Sequence, residues 1–227
     1  MRWIGILLAL SLVAGCGSQV PAPTGTLESE VDVIQLPPPT TDGAISLEEA
    51  LASRRSVREF SSEALSLETK GQLLWAAQGV TSTSGKRTAP SAGALYPLEL
   101  YLADDTGVHH YLPRDHALER ISEEDLRSAL ADAALGQEAI GDAAAVFVIT
   151  AVAARTEVKY GARAERYVKL EAGHATQNLL LQAVTLDLGA VPIGAFEDVE
   201  VQRILGLPTE EEPLYLIAVG HHLEEGP

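Results

Sequence analysis

Within "ASRRSVREF", residues 52–60, three arginines fall inside five positions: Arg54, Arg55 and Arg58, with Ser56 between them. Guanidinium forks and a hydroxyl bind phosphate or another compact oxyanion through charge-assisted hydrogen bonds. Two small-residue stretches could complete a ligand site, "TSTSGKRTAPSAGALYP" at 81–97 and "VPIGAF" at 191–196. Gly and Ala in loops let backbone amides approach a flat ligand closely. The combination points to a phosphorylated, planar cofactor. A second reading stays open, because cations also suit a helix C-terminus and Arg54 and Arg58 share a face at the i,i+4 spacing.

Other chemistries lack their residues. There is no G-x-G-x-x-G after a strand, no Walker loop, no H-E-x-x-H and no G-x-S-x-G. His109 with His110, and His221 with His222, are adjacent pairs on expected strands, where neighbours point to opposite faces. They are poor chelators, so no metal site is expected. His174 lies near Gln177 and Asn178 on an expected helix and reads as a polar residue at a helix or subunit contact. Cys16 is the only cysteine, which leaves the rest of the chain without a disulfide, a thiol nucleophile or a thiolate metal site.

The formal net charge is −16, from 32 Asp and Glu against 16 Lys and Arg, so nucleic acid and anionic lipid are repelled and any anion must be held by a local cluster. With 227 residues and 46% hydrophobic content the chain can bury one core of ordinary domain size. Its start, "MRWIGILLALSLVAGCGSQ", has one positive residue, an apolar run at 3–14 and then small residues. That run is short for a membrane span and has the proportions of an export signal. "LVAGC" resembles a bacterial lipobox, which makes 1–16 a lipoprotein signal peptide with Cys16 as the lipidation site. Residues 17–42, with "PAPTG" and "QLPPPTTDG", read as a flexible tether, and 43–227 as the globular domain. The expected location is outside the cytoplasm, lipid-anchored to the cell envelope on the outer-membrane or surface side, since Gly17 follows the cysteine rather than Asp.

The elements that must position the arginines are legible from caps and periodicity. Ser46 with Glu49 makes a capping box for a helix to about residue 53, and Ser66 caps another that stops at Gly79. "LELYLADDTGVHHYL" alternates about a turn at 105–107 and predicts a β-hairpin. A helix over 122–135, a buried strand over 143–152 and a long helix over 162–188 follow. A short strand or turn at "GAVPIGAF", a helix from Asp198 to Leu205 and a strand over 213–220 complete the domain. Interspersed helices and strands without strict βαβ alternation predict an α+β fold, a mixed sheet packed by helices around the long central helix.

Beyond these readings, "RRSVREF" resembles the N-terminal motif of the nitroreductase family of FMN enzymes. "RTAPSAGALYPLELYL", "HHYLPRDHALERI", "LEAGHATQNLLLQAVTLDLGAVPIGAF" and "LYLIAVGHH" are similar, in order, to blocks of its azoline-dehydrogenase-like branch. The similarity spans about residues 46–222. It implies an interlocked homodimer with two FMN sites at the subunit interface, each built from both chains. Arg54 and Ser56 would then bind the ribityl phosphate with Arg55 beside them, and Arg58 would face the pyrimidine edge of the ring. Pro90, Ser91, Ala92 and Gly93 would come from the other chain to line the ring, and Ile193 and Gly194 would lie near flavin N5. Lys86, Arg87, His221 and His222 are further groups that could complete the phosphate site, while Lys159 and Tyr160, being adjacent, are given no role. The implied activity is ping-pong hydride transfer through N5. NAD(P)H or a quinone would be the donor, and a small molecule or a peptide the substrate. The alternative is a flavin-binding or structural envelope lipoprotein without turnover.

Overall fold

In a computed structural model of the chain, residues 32–223 are described; the expected signal peptide, Cys16 and most of the expected tether lie outside them. Helix α1 (Leu47–Ser53) begins at Ser46, whose Oγ accepts the Glu49 amide at 3.1 Å. Helix α2 (Leu67–Gln78) begins the same way, Ser66 Oγ accepting from the Thr69 amide at 3.2 Å. Both N-caps satisfy amides that the first helical turn leaves without partners.

Strands β2 (Leu98–Asp104) and β3 (Gly107–Leu112) form the expected hairpin. Asp104 Oδ1 closes its turn by accepting from the Thr106 amide at 2.8 Å, while Lys70 of α2 holds Oδ2 at 2.7 Å. Two further strands escaped the sequence reading. Strand β4 (Ala117–Ser122) extends the hairpin to a meander, and β1 (Val33–Gln35) pairs with β4 at the sheet edge. The globular unit therefore starts about ten residues before the expected boundary at 43. Leu36 is buried, Leu36 N donates to His116 O at 3.1 Å, and His116 Nε2 meets Pro37 O at 2.9 Å. The prolines that suggested a tether are compatible with an edge strand followed by extended chain.

The helix expected over 122–135 is shorter than its pattern. Asp125 Oδ1 takes the Arg127 amide at 3.1 Å, which delays the start, and helix α3 runs over Arg127–Ala133. Leu135 and Gly136, both at positive φ, end it, and a single turn, α4 (Glu138–Gly141), follows. Strand β5 (Ala145–Ala151) is buried along its whole length, then α5 (Ala154–Tyr160) leads into the 22-residue α6 (Ala164–Thr185). At about 1.5 Å per residue α6 is roughly 33 Å long. Strand β6 (Leu188–Ile193), α7 (Asp198–Leu205) and β7 (Glu212–His221) close the chain.

The seven strands order as β1-β4-β3-β2-β5-β7-β6, and every neighbouring pair is antiparallel. Among the described residues the sheet is mixed only through one parallel bridge, Ser56 to Ala190, outside the named strands. Side chains alternate along β5, so Phe147 and Ile149 join one core with Leu73 and Leu74 of α2 and Leu179 of α6. Val146 and Val148 join the other, with Leu130 of α3, Ile140 of α4 and Val201 of α7. Because both faces are covered, β5 reads as an unbroken apolar run rather than an alternating one.

Candidate functional site

The arginine segment is fixed in place by the outer edge of the sheet. Arg54 ends α1, its amide donating to Ala50 O at 3.0 Å. Arg55 folds back, Nη1 donating to Ala52 O at 2.9 Å and to Arg54 O at 2.8 Å. Part of the helix-end reading therefore holds for Arg55, whose guanidinium satisfies carbonyls that the helix leaves open. Ser56 then bridges Ala190, and the Val57 amide donates to Ala190 O at 3.1 Å. Further on, the Ser61 amide reaches His221 O at 3.0 Å.

This close approach depends on two glycines. A Cβ on Gly189 would stand 2.7 Å from Val57 Cγ1, and one on Gly220 would stand 2.8 Å from Phe60 Cβ. With hydrogen there instead, the 56–61 segment lies directly on β6 and β7. Ser56 and Arg58 are exposed and Arg54 is half-buried. None of the three arginines forms an ion pair with an acidic side chain among the described residues.

Ile193 and Gly194 lie at the C-terminal end of the same strand that carries Ala190, about 10 Å further along at the usual rise per residue. Ile193 is buried opposite Leu216. Gly194 is exposed, and a side chain there would meet only Tyr215 Cε1, at 3.8 Å. The strand end thus offers an open backbone shelf beside the arginine segment.

The second loop sits elsewhere. Pro90–Gly93 leads into β2, which is three strands from β6, about 14 Å across the sheet. Its conformation is unusual: Gly93, Ala94 and Tyr96 all have positive φ, at 66°, 55° and 46°. For the two residues with a Cβ this is costly backbone, held only where the surroundings over-determine it. The Tyr96 amide donates to Ser91 Oγ at 2.9 Å, and Ala94 N to Ser91 O at 3.1 Å. Arg155 Nη1 donates to Tyr96 O at 3.2 Å, and the Arg87 guanidinium stacks over the Tyr96 ring at 4.6 Å. Beneath Gly93 lie Lys159 Nζ and Tyr160 Oη, 3.1 and 3.0 Å from where a Cβ would be.

The electrostatics around this loop are those of buried, partly paired charges. Burial raises the Glu99 carboxyl, but hydrogen bonds to His110, at 3.0 Å, and to Arg155 outweigh it and hold it below its ordinary range. Arg87 is lowered, chiefly by burial, and Nη1 donates to the fully buried Gln78 at 2.9 Å. Glu171 of α6 is 3% exposed, and burial pushes its carboxyl up to about 7 against the opposing pull of Ser91, Arg87 and the Ala92 amide.

One chain therefore brings Arg54, Arg55, Ser56 and Arg58 to the strand that ends in Ile193 and Gly194, and it keeps Pro90, Ser91, Ala92 and Gly93 on a separate loop. The sequence reading missed Glu171 and the part played by Lys159, Tyr160 and Arg87 around that loop. A signal for Glu171 was available: three residues after Val168 and four before Ala175, it is an acid at a core-facing helical position. A cleft of about 680 Å³ lies elsewhere, between the 37–45 segment, α1, α2 and α6, where Ile45, Gln72, Trp75 and Gln182 line it. No expected site residue reaches it.

Comparison with known proteins gives a family. The model of the nitroreductase family matches residues 51–221. A protein of Methanocaldococcus jannaschii that is named as a nitroreductase is 45% identical over 186 residues, covering 79% of this chain and 93% of its own. Among solved structures, one from Ralstonia eutropha JMP134 described as a nitroreductase superposes with a TM-score of 0.78 at 32% identity, over 85% of this chain and 90% of that one. In the Escherichia coli microcin synthetase McbBCD complex with truncated pro-MccB17, one chain shares the fold alone, with a TM-score of 0.67 at 23% identity over 91% of this chain and 85% of that one.

Proposed function

Because the chain belongs to the nitroreductase family of oxidoreductases, we propose that it is an FMN-dependent member that works as a homodimer. The observation that carries this reading is the arginine segment: basic groups without acidic partners among the described residues, fixed on β6 beside the open Gly194 shelf. Such a cradle suits a phosphate joined to a flat ring, since it offers guanidinium and hydroxyl donors at one end and side-chain-free backbone at the other.

Arg54 and Ser56 hold the phosphate in this reading, and Arg55 adds charge while two of its hydrogen bonds stay on the helix end. Arg58 stabilises negative charge at the pyrimidine edge of the ring, and the backbone of Ile193 and Gly194 orients the ring without presenting a reactive group. Bound there, FMN would supply the redox chemistry, taking a hydride at N5 from one substrate and passing electrons to another from the same cavity. The partner's Pro90, Ser91, Ala92 and Gly93 would cover the ring, since within one chain that loop lies on another strand. Leu170, His174 and Gln177 of α6 are exposed on the central helix, and Gly173 between them has nothing within 4 Å of an added Cβ. A second α6 could pack closely there. Reduced nicotinamide or a quinol serves as donor and a small molecule or a peptide as substrate. A lipid on Cys16 carries the enzyme outside the cytoplasm, on the support of the sequence pattern at 1–16.

The test is an absorbance spectrum of the purified full-length protein in detergent, with and without added FMN. Bound flavin that bleaches with NADH, NADPH or a quinol and recovers with an acceptor supports the enzyme. Flavin that binds but responds to no donor favours a binding lipoprotein, and a folded protein that takes up no flavin rejects the assignment.

A further inference from the structure

An arginine outside the 54–58 cluster holds the other half of the candidate site. Arg155 stands in the first turn of α5, just after β5. Its guanidinium spans two acceptors: Nη2 pairs with Glu99 Oε1, and Nη1 donates to Tyr96 O at 3.2 Å. No other donor to that carbonyl is found among the described residues. A planar fork suits such a bridge, because its N–H groups diverge at fixed angles and one acceptor aims it at the other.

Both ends of the bridge are tied to the fold. Glu99 is the second residue of β2, paired with Thr150 of β5, and its side chain is 16% exposed. Its other oxygen, Oε2, meets His110 Nε2 of β3 at 3.0 Å, so the carboxylate keeps one orientation. Tyr96, at the far end, has a left-handed backbone, φ 46°, that a residue with a Cβ adopts only under restraint. Its amide donates to Ser91 Oγ at 2.9 Å, and Ser91 O takes the Ala94 amide at 3.1 Å. A line of hydrogen-bonded contacts thus runs from His110 through Glu99, Arg155 and Tyr96 to Ser91, out of the sheet and into the loop.

We propose that Arg155 is a positioning residue: aimed by Glu99, it fixes the Tyr96 carbonyl and so keeps the Pro90–Gly93 loop in its cofactor-lining shape. The cofactor-lining consequence rests on the proposed flavin site; the hold on the loop does not. An ion pair between two mobile surface side chains contributes little. Here the carboxylate is largely buried and already held by His110, so the ordering cost falls on Arg155 alone. The Arg87 guanidinium, 4.6 Å over the Tyr96 ring, restrains that side chain and not the carbonyl. Without Arg155, Tyr96 would relax toward ordinary backbone, turn its amide away from Ser91 Oγ and release the loop.

The test is amide hydrogen exchange in the full-length protein, read over 91–96, with 145–151 of β5 as the reference for general stability. Arg155→Ala should speed exchange at 91–96 about tenfold, the factor for losing about 1.4 kcal/mol of hydrogen bonding, and leave 145–151 nearly unchanged. Arg155→Lys, whose single ammonium cannot span both acceptors, should fall between it and wild type. Glu99→Gln keeps an oxygen for Arg155 and should stay near wild type. Glu99→Ala should loosen the loop by itself but add little to Arg155→Ala, since it acts through that side chain. Unchanged exchange at 91–96 in Arg155→Ala, an equal rise at 145–151, or effects of Glu99→Ala and Arg155→Ala that multiply in the double variant each overturn the proposal. FMN affinity is titrated in parallel and should fall with loop protection across the series. Wild type that binds no FMN while the loop responds as described removes the proposed cofactor and leaves the hold on the loop standing. FMN bound equally by wild type and Arg155→Ala while the loop loosens overturns the cofactor-lining role.

Discussion

The three arginines divide by what already holds them. Arg54 and Arg58 make no ion pair with an acidic side chain among the described residues, whereas Arg55 is committed to two carbonyls of the helix end. Arg54→Ala and Arg58→Ala are each expected to weaken FMN binding by about 1.5–3 kcal/mol, the range for losing a hydrogen bond to a charged group. Equilibrium titration of flavin fluorescence measures this, and unchanged affinity in both variants would reduce the cluster to a solvated helix end. Arg55→Ala should act differently, lowering the melting temperature through the frayed end of α1 with a smaller effect on flavin. At the other end of the cradle, Gly194→Leu should leave stability intact, since there is room for a side chain, and abolish flavin uptake by filling the shelf.

At the scale of elements, the edge strand β1 and the proline segment after it are tied to the sheet through His116. Burial lowers its imidazole from the ordinary value, against the opposing pull of Pro37 O. The neutral ring can donate from Nε2 to Pro37 O and accept at Nδ1 from the Tyr111 hydroxyl, at 2.9 Å each, and a second proton would end the acceptance. A folded pKa below the unfolded one means stability is present above about 6.5 and lost as the pH falls through that value and below. Denaturant melts of the wild type should thus lose stability on acidification, less steeply in His116→Gln, with exchange of the 33–36 amides rising first. The two glycines beneath the arginine segment are equally specific. Gly189→Ala or Gly220→Ala should cost about 1–3 kcal/mol by overpacking and release the 56–61 segment, with flavin affinity falling in step.

For the molecule as a whole, the division of the candidate site has a consequence for assembly. Arg54–Arg58 and Gly194 lie at β6 and its edge, while Pro90–Gly93 leads into β2, and the proposed reading has a second copy bring the two together. Gly173→Trp adds a large ring to α6 at a position where a Cβ has nothing of its own chain within 4 Å. The variant should keep the wild-type circular dichroism, sediment as a monomer and lose flavin. A flavin-loaded dimer in that variant would place the interface elsewhere.

Local chemistry was legible in the sequence: the Ser46 and Ser66 caps, the hairpin turn, the buried strand β5 and the long helix α6 follow from residue types and periodicity over a few turns. The motif order also identified the family. Strands β1 and β4 were not legible, because β1 has only three residues and β4 carries Glu119 and Arg120 in mid-strand, so neighbours in space rather than pattern define them. The pairing of Ser56 with Ala190 is likewise invisible along a chain, since 134 residues separate them and only the sheet edge brings them together. The same holds for Glu171, an acid at a core-facing helical position whose burial is set by long-range packing. Sequence determined which residues could do chemistry; tertiary structure decided which of them meet, because burial and long-range register are properties of the packed sheet and not of any local segment.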